Sequence, residues 1–196
     1  MTDVTFPAQT AAPADAGPVD LVCRHWATLP RRGLAPNRSD LDPQAISAAL
    51  PYVFIAELVT KRVARLRLVG HALEDLLDMD MRGMPLSALF TTDARPVLAT
   101  AFEQVERGAR VLLPLRAERG WGLPEMTGQL ALLPLCDGHG EITRILGVLE
   151  RKGDAGRAPR RFTISAPAPI SLSMPENTLK TSCRQPSLRV IIGGKR

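Results

Sequence analysis

Two changes in the spacing of apolar residues constrain this chain more than any other feature. Over residues 63–69 the run Val63, Ala64, Arg65, Leu66, Arg67, Leu68, Val69 alternates with the period of two expected of a half-buried strand. After Gly70 the spacing becomes helical, at Ala72, Leu73, Leu76 and Leu77. A longer helical stripe follows at Val97, Leu98, Ala101, Phe102 and Val105, with Asp93 as its expected cap. Past Gly108 the pattern returns to strands, at 109–118, 126–136 and 142–151. A chain that goes from strands to helices and back to strands, with short turns between them, predicts an α+β domain built on an antiparallel sheet.

The remaining elements complete that order. A strand over 52–59 pairs with 63–69 through the turn Thr60-Lys61-Arg62. Upstream, Leu21, Val22, Trp26 and Leu29 share one face of a predicted helix capped by Asp20 and ended near Pro30. Asp42 and Pro43 have the chemistry of a second helix start, with Ile46 and Leu50 on one face and Pro51 as the stop. A further helical piece is expected at 85–90, after the turn at Met81-Arg82-Gly83. The sum is a five-stranded antiparallel sheet with short helices on one face and an N-terminal helix.

Composition sets the edges of this unit. Residues 1–19 are rich in Ala and Pro without apolar periodicity and read as a disordered lead. The domain is expected over 20–151, and 152–196 as a basic, mostly flexible tail in which 162–164 and 188–192 are apolar enough to dock as strands. Residues 151–196 carry 10 Lys and Arg against 2 Asp and Glu, a net of +8, whereas residues 1–150 have a net of −3. The overall +5 therefore belongs to the tail, and nucleic-acid or acidic-partner binding is an expectation for the tail alone. No apolar run is long enough to span a bilayer, and no basic start precedes an apolar h-region, so a cytoplasmic protein is expected.

The chemistry-bearing residues are sparse. Cys23, Cys136 and Cys183 are odd in number and far apart, which argues against a disulfide framework or a metal knuckle. His25, His71 and His139 lack metal-ligand spacing. Arg38, Asp40 and Asp42 form the densest polar cluster. Paired carboxylates can run acid/base chemistry, but the favoured reading is structural: Asp42 caps the following helix, Asp40 closes an Asx turn and Arg38 pairs with one of them. Ligand or partner contact is the third reading. Arg65 and Arg67 share a strand face that is most simply a solvated one. Gly120-Trp121-Gly122 is a turn rather than a phosphate loop, and Trp121 either anchors a partner or packs back on the sheet. No set of nucleophile, base and oxyanion donor is present, so an enzyme is not expected.

Several of these residues also resemble a known family. His25-Trp26, Arg32-Gly33, Pro36, Arg38-Ser39-Asp40-Leu41-Asp42-Pro43, Leu50-Pro51, Leu66-Arg67-Leu68-Val69-Gly70 and Met81-Arg82-Gly83 are similar to the alphaproteobacterial PAS-like family. Its members share a tryptophan helix, a P-x-R-x-D-x-D-P loop, an L-P turn and an R-L-x-G strand end. The likeness covers about residues 20–150, and Leu188 to Gly194 is similar to the end of many members. It gives Trp26, Arg38, Asp40, Asp42, Pro43, Pro51, Arg67, Gly70 and Gly83 the role of structural motif residues.

The resemblance implies a stand-alone sensory or interaction module with a small-molecule ligand or a signalling protein partner. It also implies a homodimer, for which the Leu21, Val22, Trp26 stripe is the expected contact. A ligand pocket on the helical side would be lined by Leu73, Leu76, Leu77, Leu89, Leu98 and Phe102, although plain core is the favoured reading of the same residues. Haem is not expected: His71 is the one histidine on that side, and 93–107 contains none. Flavin photochemistry is not expected either, since no cysteine lies between Cys23 and Cys136. The cofactor, if any, stays unnamed.

Overall fold

The computed structural model describes residues 17–31, 33–120, 123–165 and 170–172. Five strands form the body of an antiparallel sheet: β1 (Val53–Thr60), β2 (Val63–Val69), β3 (Arg110–Ala117), β4 (Met126–Cys136) and β5 (Ile142–Lys152). Their order is β2-β1-β5-β4-β3, so the first hairpin lies beside the last strand and the helices bridge from β2 to β3. Two short strands, β6 (Thr163–Ile164) and β7 (Ile170–Leu172), extend the sheet by pairing with β3. The packed structure thus continues past residue 151, where the sequence placed the start of a flexible tail.

The helices are α1 (Pro18–Thr28), α2 (His71–Leu77) and α3 (Arg95–Glu106). The short helices between β2 and β3 lie together on one face of the sheet, as expected, and α1 covers the other face, a side the sequence reading leaves open. On one side, α2, α3 and the 3-10 turn Leu86–Leu89 pack on Phe54, Ala56, Leu66, Leu113, Leu130, Leu132, Ile145 and Leu149. On the other, Val19, Val22, Trp26 and Leu29 of α1 pack on Ala131, Leu133, Leu135, Leu146 and Val148. Alternate residues of β4 therefore enter different cores, as a strand's period of two requires. Where β1 crosses β5, Phe54 pairs with Gly147, and its ring occupies the space a Cβ at 147 would need.

Helix starts differ from the sequence reading in three places. Gly17, not Asp20, precedes α1, and Pro18 and Val19 are its first residues. The α1 terminus takes a carboxylate instead from Glu150 of β5, whose Oε2 accepts from Val19 N–H at 3.4 Å. Asp93 makes no cap bond. It sits in a 3-10 turn, Thr92–Ala94, and α3 begins at Arg95 with Pro96 in its first turn, where a missing N–H costs nothing. The helix expected after Asp42-Pro43 is a turn followed by a 3-10 helix, Ser47–Tyr52, which contains Pro51 rather than ending at it.

Gly70 explains that last departure. Its N–H donates to Val53 carbonyl at 2.8 Å, which brings the end of β2 hard against the 3-10 helix. A Cβ at position 70 would overlap the carbonyl oxygens of Leu50 and Pro51. The L-P turn and the strand-end glycine, far apart in sequence, are therefore two halves of one contact. Gly83 has a separate reason: its φ is +82°, and its N–H closes on Leu66 carbonyl at 2.8 Å, covering part of the free edge of β2. Among the described residues no helix is long and apolar enough to cross a membrane.

Backbone carbonyls cannot rotate away as a side chain can, so Gly70→Ala is expected to destabilise the domain by about 1–3 kcal/mol. The urea midpoint falls with an unchanged slope; a midpoint equal to that of the wild type would show that the contact is not tight.

Candidate functional site

A cleft of about 520 Å³ lies on the α1 face of the sheet, opposite the side on which a pocket was expected. Its outer wall is the loop after α1. That loop is fastened at both ends by backbone and side-chain bonds. Cys136 N–H donates to Pro36 carbonyl at 2.8 Å, and Asn37 Nδ2 donates to Asp137 carbonyl at 2.8 Å. Asn37 Oδ1 accepts from Ser39 N–H at 3.1 Å, so Asn37, not Asp40, closes the Asx turn that starts the 3-10 turn Arg38–Asp40. Asp42 Oδ1 accepts from Gln44 N–H at 2.9 Å, a cap of the turn after Pro43. Asp42 N–H in turn donates to His25 Nε2 at 3.3 Å, tying the loop to α1.

Trp26 anchors the helix side of this arrangement. It is fully buried, its indole N–H donates to Pro134 carbonyl at 2.9 Å, and the Arg31 guanidinium stands 4.7 Å from its ring centre. Val22 and Trp26 are therefore consumed inside the chain and are unavailable as the dimer contact expected of them.

The inner wall comes from Val53 and Ile55 of β1, Leu68 of β2, and Arg144 and Leu146 of β5. Leu68 reaches this face through a bulge. Ile55 pairs with Leu68 and Ala56 with Leu66, which leaves Arg67 without an opposite residue and turns the strand over between Leu66 and Leu68. Arg67 uses its position to bind Glu57, Nε donating to Oε2 at 2.6 Å, so it is a strand-to-strand tie on the solvated face. Leu50 and Leu68 remain 39% and 46% exposed at the mouth.

The charges around this cleft are few. Arg38 and Arg144 line it, with Asp137 at the turn end. Asp137 Oδ1 accepts from the N–H groups of His139 at 2.9 Å and Glu141 at 3.2 Å. These bonds, His139 first, hold its carboxyl below the ordinary carboxylate range. Among the described residues no ion pair joins Arg38 to Asp40 or Asp42, contrary to the sequence reading. Asp40 Oδ2 is buried without a hydrogen-bond partner, and Asp42 is spent on capping, so the two carboxylates do not act on a common point.

The six residues expected to line a pocket, Leu73, Leu76, Leu77, Leu89, Leu98 and Phe102, are all buried in the helix-side core and none lines this cleft. That core is also occupied by Phe162, fully buried, whose N–H donates to Leu89 carbonyl at 2.8 Å. His71 is exposed as the first residue of α2, and His139 is exposed in the turn after β4. Among the described residues no three His, Cys, Asp or Glu side chains gather as a metal site. Trp121, Gly122, Arg32, Cys183 and 188–192 lie outside the described residues.

A family model described as a PAS domain matches residues 17–150. No curated protein matches the chain.

Burial pushes the Cys23 thiol up to about 11, against a smaller opposing pull from Arg110, and Cys136 is buried. Roughly one Cys23 thiol in a thousand is then ionised at pH 8, and the thiolate is the reactive form. In a Cys183→Ser variant, a thiol reagent at pH 8 should label the native protein slowly and both remaining cysteines promptly in urea. Prompt labelling without urea would contradict the burial of Cys23.

Proposed function

We propose that this chain, which belongs to the PAS domain family, is a regulatory module that acts by binding, not by catalysis, and that its binding site is the groove between the 36–50 loop and the outer sheet face. The single observation that carries this reading is the groove itself. Its volume of about 520 Å³ falls in the usual range for small-molecule sites, and apolar side chains line most of it. Arg38 and Arg144 stand on its wall. A ligand with an apolar body and an acidic end suits that combination: the body is removed from water, and the acid meets a guanidinium. The helix side supports no such reading, since Phe54, Phe90, Phe102 and Phe162 fill it.

A second reading is a protein contact, including a second copy of this chain, on the same surface. Val59 and Val63 at the hairpin tip are exposed along with Leu50 and Leu68, so an apolar strip runs along the β1–β2 side of the sheet. Nucleic-acid binding by the basic segment has less support. Arg160 and Arg161, two of its ten cations, are engaged with backbone carbonyls of the domain.

The probe chosen for the groove is 8-anilinonaphthalene-1-sulfonate, an aromatic body with one anionic end. Leu68→Glu, at an exposed position, should cut its affinity at least about tenfold while leaving the fold intact, because it sets a charge in the apolar wall. Arg144→Glu should weaken it several-fold. Unchanged affinity in both variants would sink the groove as the site. Native mass spectrometry of freshly purified protein separates the two readings: a retained small mass supports the ligand, and a doubled chain mass that Leu68→Glu abolishes supports self-association.

A further inference from the structure

Neither the fold's two cores nor the groove accounts for Arg160. It is 2% exposed, and the described core contains no other buried charged residue. Its backbone N–H donates to Leu76 carbonyl at 2.6 Å, which fixes it on the end of α2. Its Nη2 donates to the carbonyl of Pro124 at 2.7 Å and, more weakly, to that of Glu118 at 3.4 Å. Nη1 is shielded from water and has no hydrogen-bond partner. Thr91 Oγ1 is in the same condition. Both residues line one cleft of about 180 Å³, together with Thr163, Arg161 and Glu118.

A guanidinium withdrawn from water is costly unless an opposite charge answers it, and neutral carbonyls answer only part of it. The acid on the same wall, Glu118, is exposed and makes no ion pair with Arg160. The missing complement is an acceptor that is negatively charged and small. It must also offer two oxygens, one for the guanidinium edge and one for the hydroxyl. Oxyanions have this geometry, and arginine's planar fork matches them.

We propose that this cleft binds a small oxyanion, an inorganic phosphate or the phosphate or carboxylate end of a metabolite, held between Arg160 Nη1 and Thr91 Oγ1. Because both atoms are shielded from water, the anion reaches them only when side chains lining the cleft shift. Once seated, the anion ties the segment after β5 to the loop before α3. That segment is already threaded there: Thr91 N–H donates to Phe162 carbonyl at 3.0 Å, and Thr163 Oγ1 donates to Arg116 carbonyl at 2.9 Å. Occupancy therefore strengthens the seat of residues 160–164 on the β3 edge. The site lies apart from the groove, and its success or failure is independent of what the groove binds.

The full chain is titrated with inorganic phosphate, sulfate and acetate, each at constant ionic strength against chloride, and affinity is read by calorimetry and melting temperature. Phosphate should raise the melting midpoint beyond chloride. Thr91→Val keeps the side-chain shape and removes the hydroxyl, and should weaken the anion about tenfold or more. Arg160→Lys, which keeps the charge and loses the fork, should weaken it further. Should the lysine variant fail to fold, Thr91→Val decides the matter alone. A stronger response to acetate than to phosphate assigns the site to a carboxylate, and the reverse assigns it to a phosphate. Melting unchanged by all three anions, or equal anion affinity in wild type and Thr91→Val, overturns the proposal.

Discussion

The structure depends on covering both faces of the two central strands. β4 and β5 sit between β1 and β3, and their side chains enter opposite cores in alternation: Leu130 and Leu132 on the helix side, Ala131, Leu133 and Leu135 on the other. At about 25 cal/mol per Å² of apolar surface, leaving either face wet would forfeit much of the domain's margin. α1 is the second cover, and Trp26 holds it in place by filling space and by giving its indole N–H to Pro134 carbonyl. That carbonyl is open to it because β3 pairs with β4 only as far as Leu132. A proline in a central strand is tolerated at that point for the same reason, since no ladder bond is asked of its nitrogen.

Strands and their order were legible because alternation survives in sequence. β2 and β4 have the expected bounds, β1 and β3 differ by one residue at each end, and β5 by one residue at its end. The sidedness of α1 was not read, although the sequence carries a signal for it. Gln129 is followed by Leu130, Ala131, Leu132, Leu133, Pro134, Leu135 and Cys136, a continuous apolar run, and such runs mark strands buried on both faces. A helix with the Val22, Trp26 stripe had a place to go within its own chain. Phe162 was visible as a docking candidate, but not as a plug of the helix-side core, because its partners Leu89 and Phe90 lie more than 70 residues away.

The groove was harder to read. Its loop carries the most recognisable motif in the chain, yet the motif's polar residues build a wall rather than a reactive centre. Asn37, which the sequence reading passed over, does the work assigned to Asp40, because its amide can accept from Ser39 and donate to Asp137 carbonyl at once, whereas a carboxylate can only accept. Leu68 reaches the groove through a one-residue bulge at Arg67, and a bulge reverses which face each later residue takes. Strict alternation from Val63 would have placed Leu68 with Ala64 and Leu66 in the helix-side core. Period alone cannot announce a register shift that depends on the partner strand.

Because the groove and α1 share one face, they also share residues. Ile46, Val53, Cys136 and Leu146 line the groove and belong to the core beneath α1. A ligand that displaces any of them changes the packing under Trp26, and the bond from Asp42 to His25 gives the loop a direct hold on the same helix. The opposite core has no such freedom: its aromatic rings are fully buried, and dense packing there resists small displacements. Of the two covers on this sheet, α1 is therefore the one that shares its packing with the groove. On the proposed reading, a ligand in the groove would act first on α1 and on the turn at 136–141, which share its wall, rather than on α2 and α3.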